Sequence, residues 1–190
     1  MSERILAPED IRQAAQRISG YVKQTPIHTS RQVDEKTGFE VYFKCENFQR
    51  TGSFKFRGAC NAILSLSEEE VERGVVTHSS GNHAQAVSLA AAIRGVPAHS
   101  VMPASAPENK VAAVKGYGSD ITFCASTLEA REATAKEIIR QTGATLIHPY
   151  NDPNIIAGQG TAALELLEEV PDLDLLMAPV GGGGLISGTA

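Results

Sequence analysis

The chain has 190 residues, of which 42% are hydrophobic and 21% charged, a composition that excludes disordered and fibrous proteins. Its 17 basic and 22 acidic side chains give a net charge of −5, which argues against nucleic acid as a partner. No apolar run reaches the roughly 20 residues of a membrane span, and the three cysteines lie far apart, so we expect a cytoplasmic protein without a disulfide framework or membrane partner.

Apolar periodicity predicts an alternating series of helices and strands. The first helix begins near Pro8, buries Ile11, Ala14 and Ile18 on one face, and ends before Gly20. Short runs rich in Val, Ile and Leu then predict strands at 41–45, 75–77, 98–102, 120–124, 145–148 and 173–180. Segments between them predict helices at 56–66, 82–94, 107–115, 128–141 and 155–168.

This order of elements is typical of an α/β fold. Strands separated by such helices run parallel with crossover connections, which predicts doubly wound parallel sheets. The acidic segment 67–73 and the segment 150–154 are the weakest points of the pattern. We therefore predict a large domain, residues 1–70 and 152–190, with an inserted small domain, residues 71–151. The large domain is expected to be incomplete at its C-terminus, because the helix that begins after the last glycines is too short to cover a sheet.

Four consecutive glycines, Gly181–Gly184, follow the last predicted strand and precede a helix-like segment. Backbone N–H groups without side chains can turn toward an anion there, and the start of a helix adds partial positive charge, so a phosphate is the expected ligand. The alternative is a tight turn that needs positive φ angles. The motifs of a triphosphate P-loop and of a dinucleotide site, G-x-x-x-x-G-K-[ST] and G-x-G-x-x-G, are both absent.

Lys55 lies between Phe54 and Phe56 and two residues before Arg57. Shielding by the aromatic rings and the nearby second cation would lower the pKa of the Lys55 amine from about 10.4 and make it a nucleophile. The alternative is a surface lysine whose aliphatic stem packs on aromatic rings.

A polar run at 77–83, Thr-His-Ser-Ser-Gly-Asn-His, joins a predicted strand to a predicted helix. At the carboxyl edge of a parallel sheet, such a turn either caps the helix or binds a ligand. A Ser/His hydrolase is a weaker hypothesis, because G-x-S-x-G is absent and no acid is placed to orient the histidine. His28, His99 and His148 are isolated in the sequence, and we interpret them as structural or solvated.

Four motifs occur in order along the chain: S-F-K-F-R-G-A, S-S-G-N-H-A-Q-A, I-A-G-Q-G-T and G-G-G-G. Together they resemble the serine racemase and threonine (serine) dehydratase group of fold type II, tryptophan-synthase-like enzymes that use pyridoxal 5′-phosphate. The resemblance runs from about residue 5 to 190. It implies that the large domain binds the cofactor and the small domain binds the substrate.

The resemblance also implies roles for the cofactor-binding residues. Lys55 would hold the cofactor covalently and later act as a base on one face of the substrate α-carbon. Phe54 would pack beside the pyridine ring, and Asn82 would bond its 3′-hydroxyl. Gly181–Gly184 would wrap the cofactor phosphate, in agreement with the anion site expected from the glycines themselves.

On the substrate side, the resemblance implies that Ser79, Asn82 and the backbone around His83 hold the carboxylate. Ser80 would face the α-carbon opposite Lys55 and donate a proton there, and Arg131 would help to order the substrate. Racemases of the group carry serine at the position of Ser80, whereas many threonine dehydratases carry alanine.

The implied activity is racemisation and/or dehydration of small β-hydroxy amino acids such as serine or threonine. The alternatives are a hydroxyaspartate dehydratase and a non-catalytic fragment of such an enzyme. Members of the group are well over half again as long, and their divalent-cation site (Mg²⁺ or Ca²⁺) would lie beyond Ala190, so no metal ligands are expected within the chain. The full-length form is expected to be a homodimer.

Overall fold

The computed structural model describes residues 6–79 and 81–190. The strands are β1 (Ile27–Thr29), β2 (Tyr42–Lys44), β3 (Val75–His78), β4 (Ala98–Pro103), β5 (Asp120–Cys124) and β6 (Thr145–Leu146). The helices are α1 (Pro8–Ile18), α2 (Arg31–Thr37), α3 (Lys55–Leu64), α4 (Glu68–Arg73), α5 (Asn82–Arg94), α6 (Glu108–Gly116), α7 (Leu128–Thr142), α8 (Pro153–Glu169) and α9 (Gly184–Thr189). Two short 3-10 turns, Glu46–Phe48 and Arg50–Gly52, connect β2 to α3.

A parallel four-stranded sheet, in the order β5-β4-β3-β6, lies between two layers of helices. Its register places Val75 of β3 beside Ala98 of β4 and Thr145 of β6. Successive residues of β3 face opposite sides of the sheet, so Val75 packs with α3 and α5 while Val76 packs with Ala135 of α7. The predicted doubly wound parallel architecture is confirmed by this sheet with helices on both faces.

Helix α8 contacts α1, α3 and α9 and holds them together. It crosses α3 where Gly158 meets Gly58: a Cβ on Gly158 would lie 2.6 Å from the Gly58 Cα and 2.7 Å from the Arg57 carbonyl oxygen. It meets α9 at Gly160 and Gly188, where an added Cβ would collide with backbone atoms of the other helix. The absence of side chains at these glycines therefore sets how closely the three helices approach.

The predicted strand at 173–180 is wrong. This segment is irregular, and Leu175, Met177 and Val180 are 72%, 80% and 68% exposed. An apolar run forms a parallel strand only beside a hydrogen-bonding neighbour, and no strand within 6–79 and 81–190 pairs with it. The strand predicted at 145–148 also ends early, at Leu146, and His148 lies in the turn after it.

The short antiparallel pair β1–β2, in which Ile27 lies opposite Lys44, was not fully predicted. β1 has three residues, too few for an alternating pattern to be visible in the sequence. The proposed small domain, 71–151, includes all four strands of the parallel sheet, but its division from the rest of the chain stays a prediction. Among the helices in the described ranges, none has the length and apolar character needed to cross a membrane.

The α3–α8 crossing generates a stability prediction. Gly158→Ala should lower the free energy of unfolding by about 2 kcal/mol, because the new methyl group meets backbone that no rotamer change can move away. Gly116→Ala in α6 is the matched control, since a Cβ there has no atom within 4 Å. The control should be neutral or stabilising by up to about 1 kcal/mol. Urea unfolding curves measure both; equal losses would contradict the role of close packing at this crossing.

Candidate active site

Lys55 is the first residue of α3, and its amine points to the carboxyl edge of the parallel sheet. Nζ donates a hydrogen bond of 2.6 Å to the carbonyl oxygen of Pro149 and lies 5.4 Å from the centre of the Phe54 ring. Burial lowers the pKa of the Lys55 amine, in the direction that its aromatic neighbours in the sequence predict. The expected contribution of Arg57 was wrong, because burial alone causes the shift and the Arg57 guanidinium is paired with Glu46 and Glu165.

The turn at 147–150, which comes directly after β6, contacts the predicted site residues from both sides. The carbonyl oxygen of Ile147 accepts hydrogen bonds from Thr77 Oγ1 at 2.8 Å and from His83 Nε2 at 3.1 Å. Two residues later, the carbonyl oxygen of Pro149 accepts a hydrogen bond from Lys55 Nζ. This turn thereby connects the end of β3, the start of α5 and the start of α3.

The glycines Gly181–Gly184 lie against the same turn. A Cβ on Gly182 would collide with the Tyr150 ring, and one on Gly184 would lie 3.0 Å from the Tyr150 carbonyl oxygen. Gly183 has a φ of +92°, which side-chain-bearing residues rarely adopt. These contacts and the positive φ favour glycine at 182–184, whereas a Cβ on Gly181 would have no atom within 4 Å. Pro149 and Tyr150 are adjacent, so the Lys55 amine and the glycine loop contact neighbouring residues of the same turn.

His83 is fully buried in the first turn of α5. Burial lowers the pKa of its imidazole to about 3, with a smaller contribution from the nearby Lys55 amine, so the ring is neutral near pH 7. Its Nδ1 is buried and has no hydrogen-bond partner within the described ranges. Asn82, at the start of α5, is exposed to solvent. The Ser79 backbone N–H donates to the Val101 carbonyl at 3.1 Å, and its hydroxyl accepts from the Gly81 N–H at 3.3 Å.

The roles predicted for Ser80 and Arg131 stay predictions. Ser80 lies outside the described residues, so its predicted role is untested. Arg131 lies on α7, where its Nε donates to the Thr127 carbonyl at 3.3 Å. Burial is the main cause that lowers the pKa of His78, and the charge of Arg131 makes a smaller contribution in the same direction. A contact of Arg131 with substrate stays a prediction.

His148 has a structural role in the 147–150 turn, as its interpretation from the sequence allowed, and it is not isolated in the fold. Its ring packs edge-on against His78, with ring centres 5.7 Å apart, and against Tyr150 at 4.7 Å. Its Nδ1 accepts from the backbone N–H groups of Tyr150 at 3.3 Å and Asn151 at 2.9 Å, which shapes the 147–150 turn. One sequence signal could have indicated this: His-Pro-Tyr comes just after a parallel strand, whose carboxyl end shares an edge with residues 77–83.

Comparison with known proteins identifies the class. Residues 18–190 match the family described as pyridoxal-phosphate dependent enzymes, and the chain belongs to that family. The parallel α/β arrangement is that of fold type II enzymes.

Individual relatives are similar over most of this chain. It is 55% identical over 181 residues to a serine racemase of Dictyostelium discoideum, covering 95% of this chain and 56% of that protein. It is 50% identical over 181 residues to a β-hydroxyaspartate dehydratase of Paracoccus denitrificans, covering 95% and 58%. The solved structure of maize serine racemase superposes with a TM-score of 0.96 at 51% identity, covering 98% of this chain and 57% of that one. The chain thus spans little more than half the length of these relatives.

The residues present fit the family's cofactor, pyridoxal phosphate. A half-buried amine with a lowered pKa suits an aldehyde, and four glycines at the start of a helix suit a phosphate. The contacts predicted for Phe54 and Asn82 stay predictions. Within 6–79 and 81–190, no group of three or more His, Cys, Asp or Glu side chains could hold a metal ion, and the predicted cation site beyond Ala190 is untested.

The buried His83 generates a pH prediction. In the unfolded chain a histidine takes up a proton near pH 6.5, whereas native His83 does so only near pH 3, so the unfolded state binds the extra proton between these values. Stability is therefore lost as the pH falls through this window, by up to about 1.4 kcal/mol per pH unit from this group.

His83→Gln should remove that dependence, since a glutamine amide can still donate to Ile147 and does not titrate. The unfolding free energy of both proteins, measured from pH 7.5 to 4, should converge or cross as the pH falls. Parallel curves over the whole range would show that native His83 takes up a proton as readily as it does in the unfolded chain.

Proposed function

We propose that this chain is part of an enzyme that binds pyridoxal 5′-phosphate and racemises and/or dehydrates small β-hydroxy amino acids such as serine or threonine. The products would be D-serine, or a 2-oxo acid with ammonia. The observation that carries the proposal is the arrangement around the 147–150 turn, where Pro149 binds the Lys55 amine and Tyr150 packs on the glycine loop. Identity of 50–55% with a serine racemase and a β-hydroxyaspartate dehydratase supports the same chemistry.

The chain's own residues would bind the substrate and move its protons. When bound, pyridoxal phosphate supplies an electron sink that stabilises negative charge on the substrate α-carbon. The Lys55 amine, kept closer to its neutral form by burial, accepts the α-proton. Ser79, Asn82 and the backbone around His83 bind the carboxylate at the start of α5, and Arg131 orders the substrate from α7.

The balance between the two reactions depends on the fate of the substrate once its α-proton has been removed. A proton returned to the opposite face gives the D-enantiomer, and Ser80 is the residue that we propose as its donor. Loss of the β-hydroxyl gives water and leads to the 2-oxo acid. Both outcomes use the same Lys55 amine, so one site can support both.

The organisation of the complete enzyme is also part of the proposal. Residues 1–70 and 152–190 would belong to the cofactor-binding domain and residues 71–151 to the substrate-binding domain, in a cytoplasmic homodimer. The three free cysteines, none of them in a disulfide, are in keeping with a reducing compartment.

Dehydration of β-hydroxyaspartate is a second candidate function. The 50% identity to a β-hydroxyaspartate dehydratase favours it. Assays with serine, threonine and β-hydroxyaspartate separate the candidates.

Covalent labelling tests the proposal. After incubation with pyridoxal phosphate and borohydride reduction, mass spectrometry should find one phosphopyridoxyl group, on Lys55, because that amine is the one held beside the glycine loop. Lys55→Ala should abolish the adduct, whereas Lys36→Ala, at an exposed lysine of α2, should leave it unchanged.

Chiral analysis of serine and detection of pyruvate would then assign the reaction. Label scattered over surface lysines would contradict the proposed site and favour a non-catalytic fragment.

A further inference from the structure

We propose that Arg57 is a positioning residue for Lys55: its buried guanidinium fixes the first turn of α3 and so directs the lysine amine to the 147–150 turn. The inference rests on the proposed function of Lys55. It concerns a residue that contacts neither the amine nor the glycine loop and that acts through the helix between them.

Arg57 is fully buried and forms ion pairs with two carboxylates, those of Glu46 and Glu165. Its Nε and Nη2 donate to Glu46 at 2.8 Å each, and its Nη1 and Nη2 donate to Glu165 at 2.6 and 2.8 Å. Both ion pairs are bidentate, a geometry that fixes the direction of the guanidinium as well as its distance from the carboxylate. Glu46 belongs to the 3-10 turn after β2, and Glu165 belongs to α8. One side chain therefore ties α3 to two other parts of the fold.

The same cluster is closed by a second cation. Lys44 Nζ lies 3.0 Å from Glu165 and 3.3 Å from Glu169. Each buried charge thus has a partner of opposite sign, so the carboxylates that hold Arg57 are themselves held.

The geometry of the helix links the position of Arg57 to the direction of the Lys55 side chain. Residues two apart in an α-helix point about 200° away from each other, so Arg57 and Lys55 leave opposite sides of the first turn. Arg57 points to Glu46 and Glu165, and Lys55 points to Pro149. Rotation of the turn about its axis would move both side chains together. The N-cap residue, Phe54, makes no side-chain cap, so the turn is held by the Arg57 ion pairs together with the packing of Gly58 on α8.

Stability alone gives little reason for such a cluster. Buried ion pairs can often be replaced by apolar side chains of similar volume without loss of stability, because the desolvation of the charges offsets their attraction. An apolar replacement cannot reproduce the two bidentate ion pairs, however, and would allow the first turn of α3 to rotate. This difference separates a positioning role from a purely structural one.

Two variants use that difference. Arg57→Lys keeps the positive charge and loses the forks, because an ammonium cannot bind two carboxylates in a fixed plane. The triple variant Arg57→Met/Glu46→Leu/Glu165→Leu removes the charges and leaves an apolar contact, with Lys44 still beside Glu169. Arg140→Lys is the matched control, since Arg140 makes a similar fork to Glu137 on the exposed face of α7.

The measurement is the reactivity of the Lys55 amine in the native chain without cofactor. Trace acetic anhydride at a series of pH values, with digestion and mass spectrometry afterwards, gives the pH midpoint of Lys55 relative to the urea-unfolded chain. In the wild type the native midpoint should lie below the unfolded one. In Arg57→Lys and in the triple variant it should move toward the unfolded value by about one pH unit, a tenfold change in reactivity at fixed pH. Arg140→Lys should match the wild type.

Thermal unfolding monitored by circular dichroism establishes which variants are folded. A folded triple variant whose Lys55 midpoint equals that of the wild type would overturn the proposal, and so would failure of both Arg57 variants to fold, which would make the cluster a requirement of stability. Failure of the proposed function is a separate result, because it would appear as absence of a Lys55 phosphopyridoxyl group in the wild type.

Discussion

The hydrogen bond from the Lys55 amine to the Pro149 carbonyl joins the start of α3 to the turn after β6, and the other contacts of the site are arranged around it. The amine comes from α3, in the layer of packed helices, while the carbonyl comes from the turn that leaves the parallel sheet. Tyr150, the next residue, packs on the glycine loop. A backbone carbonyl and a ring on consecutive residues thus fix the separation of an amine and a glycine loop that are more than a hundred residues apart in the chain.

Helix α8 helps to fix this separation, because it packs against both α3 and α9. It begins shortly after the turn, capped by the Asp152 carboxylate, which accepts from the Asn154 and Ile155 N–H groups. One part of it meets α3 through Gly158, and Gly160, two residues on, meets α9, the helix that begins within the glycine loop. Lys55 and the loop are therefore positioned on the same support. The I-A-G-Q-G-T motif has this packing role, although its glycines look in the sequence like weak points of a helix.

Local chemistry indicated candidate residues, and long-range packing decided what lies beside them. Gly181–Gly184 were singled out because four consecutive glycines exceed what a tight turn needs, whereas the residues around Lys55 left a surface lysine as an alternative until the four motifs were taken together. The contacts of His148 could not be predicted because its partners, His78 and Tyr150, are brought to it by strand order and by a turn. The strand at 173–180 was wrongly predicted since apolar content indicates a strand only where a neighbouring strand exists. The position of Ser80, which the racemisation hypothesis needs, is outside the described residues.

The central claim is that Lys55 and the glycine loop form one site for a phosphorylated aldehyde. Comparison of pyridoxal phosphate with 5′-deoxypyridoxal, which has the same aldehyde, no phosphate and no hydroxyl that could close on the aldehyde, tests it most directly. The fraction of Lys55 labelled after borohydride reduction should be at least about tenfold higher with the phosphate, a difference of about 1.4 kcal/mol in binding. Excess inorganic phosphate should reduce that advantage. Equal labelling of Lys55 by both aldehydes, unaffected by phosphate, would show that the amine and the loop act separately and would contradict this claim.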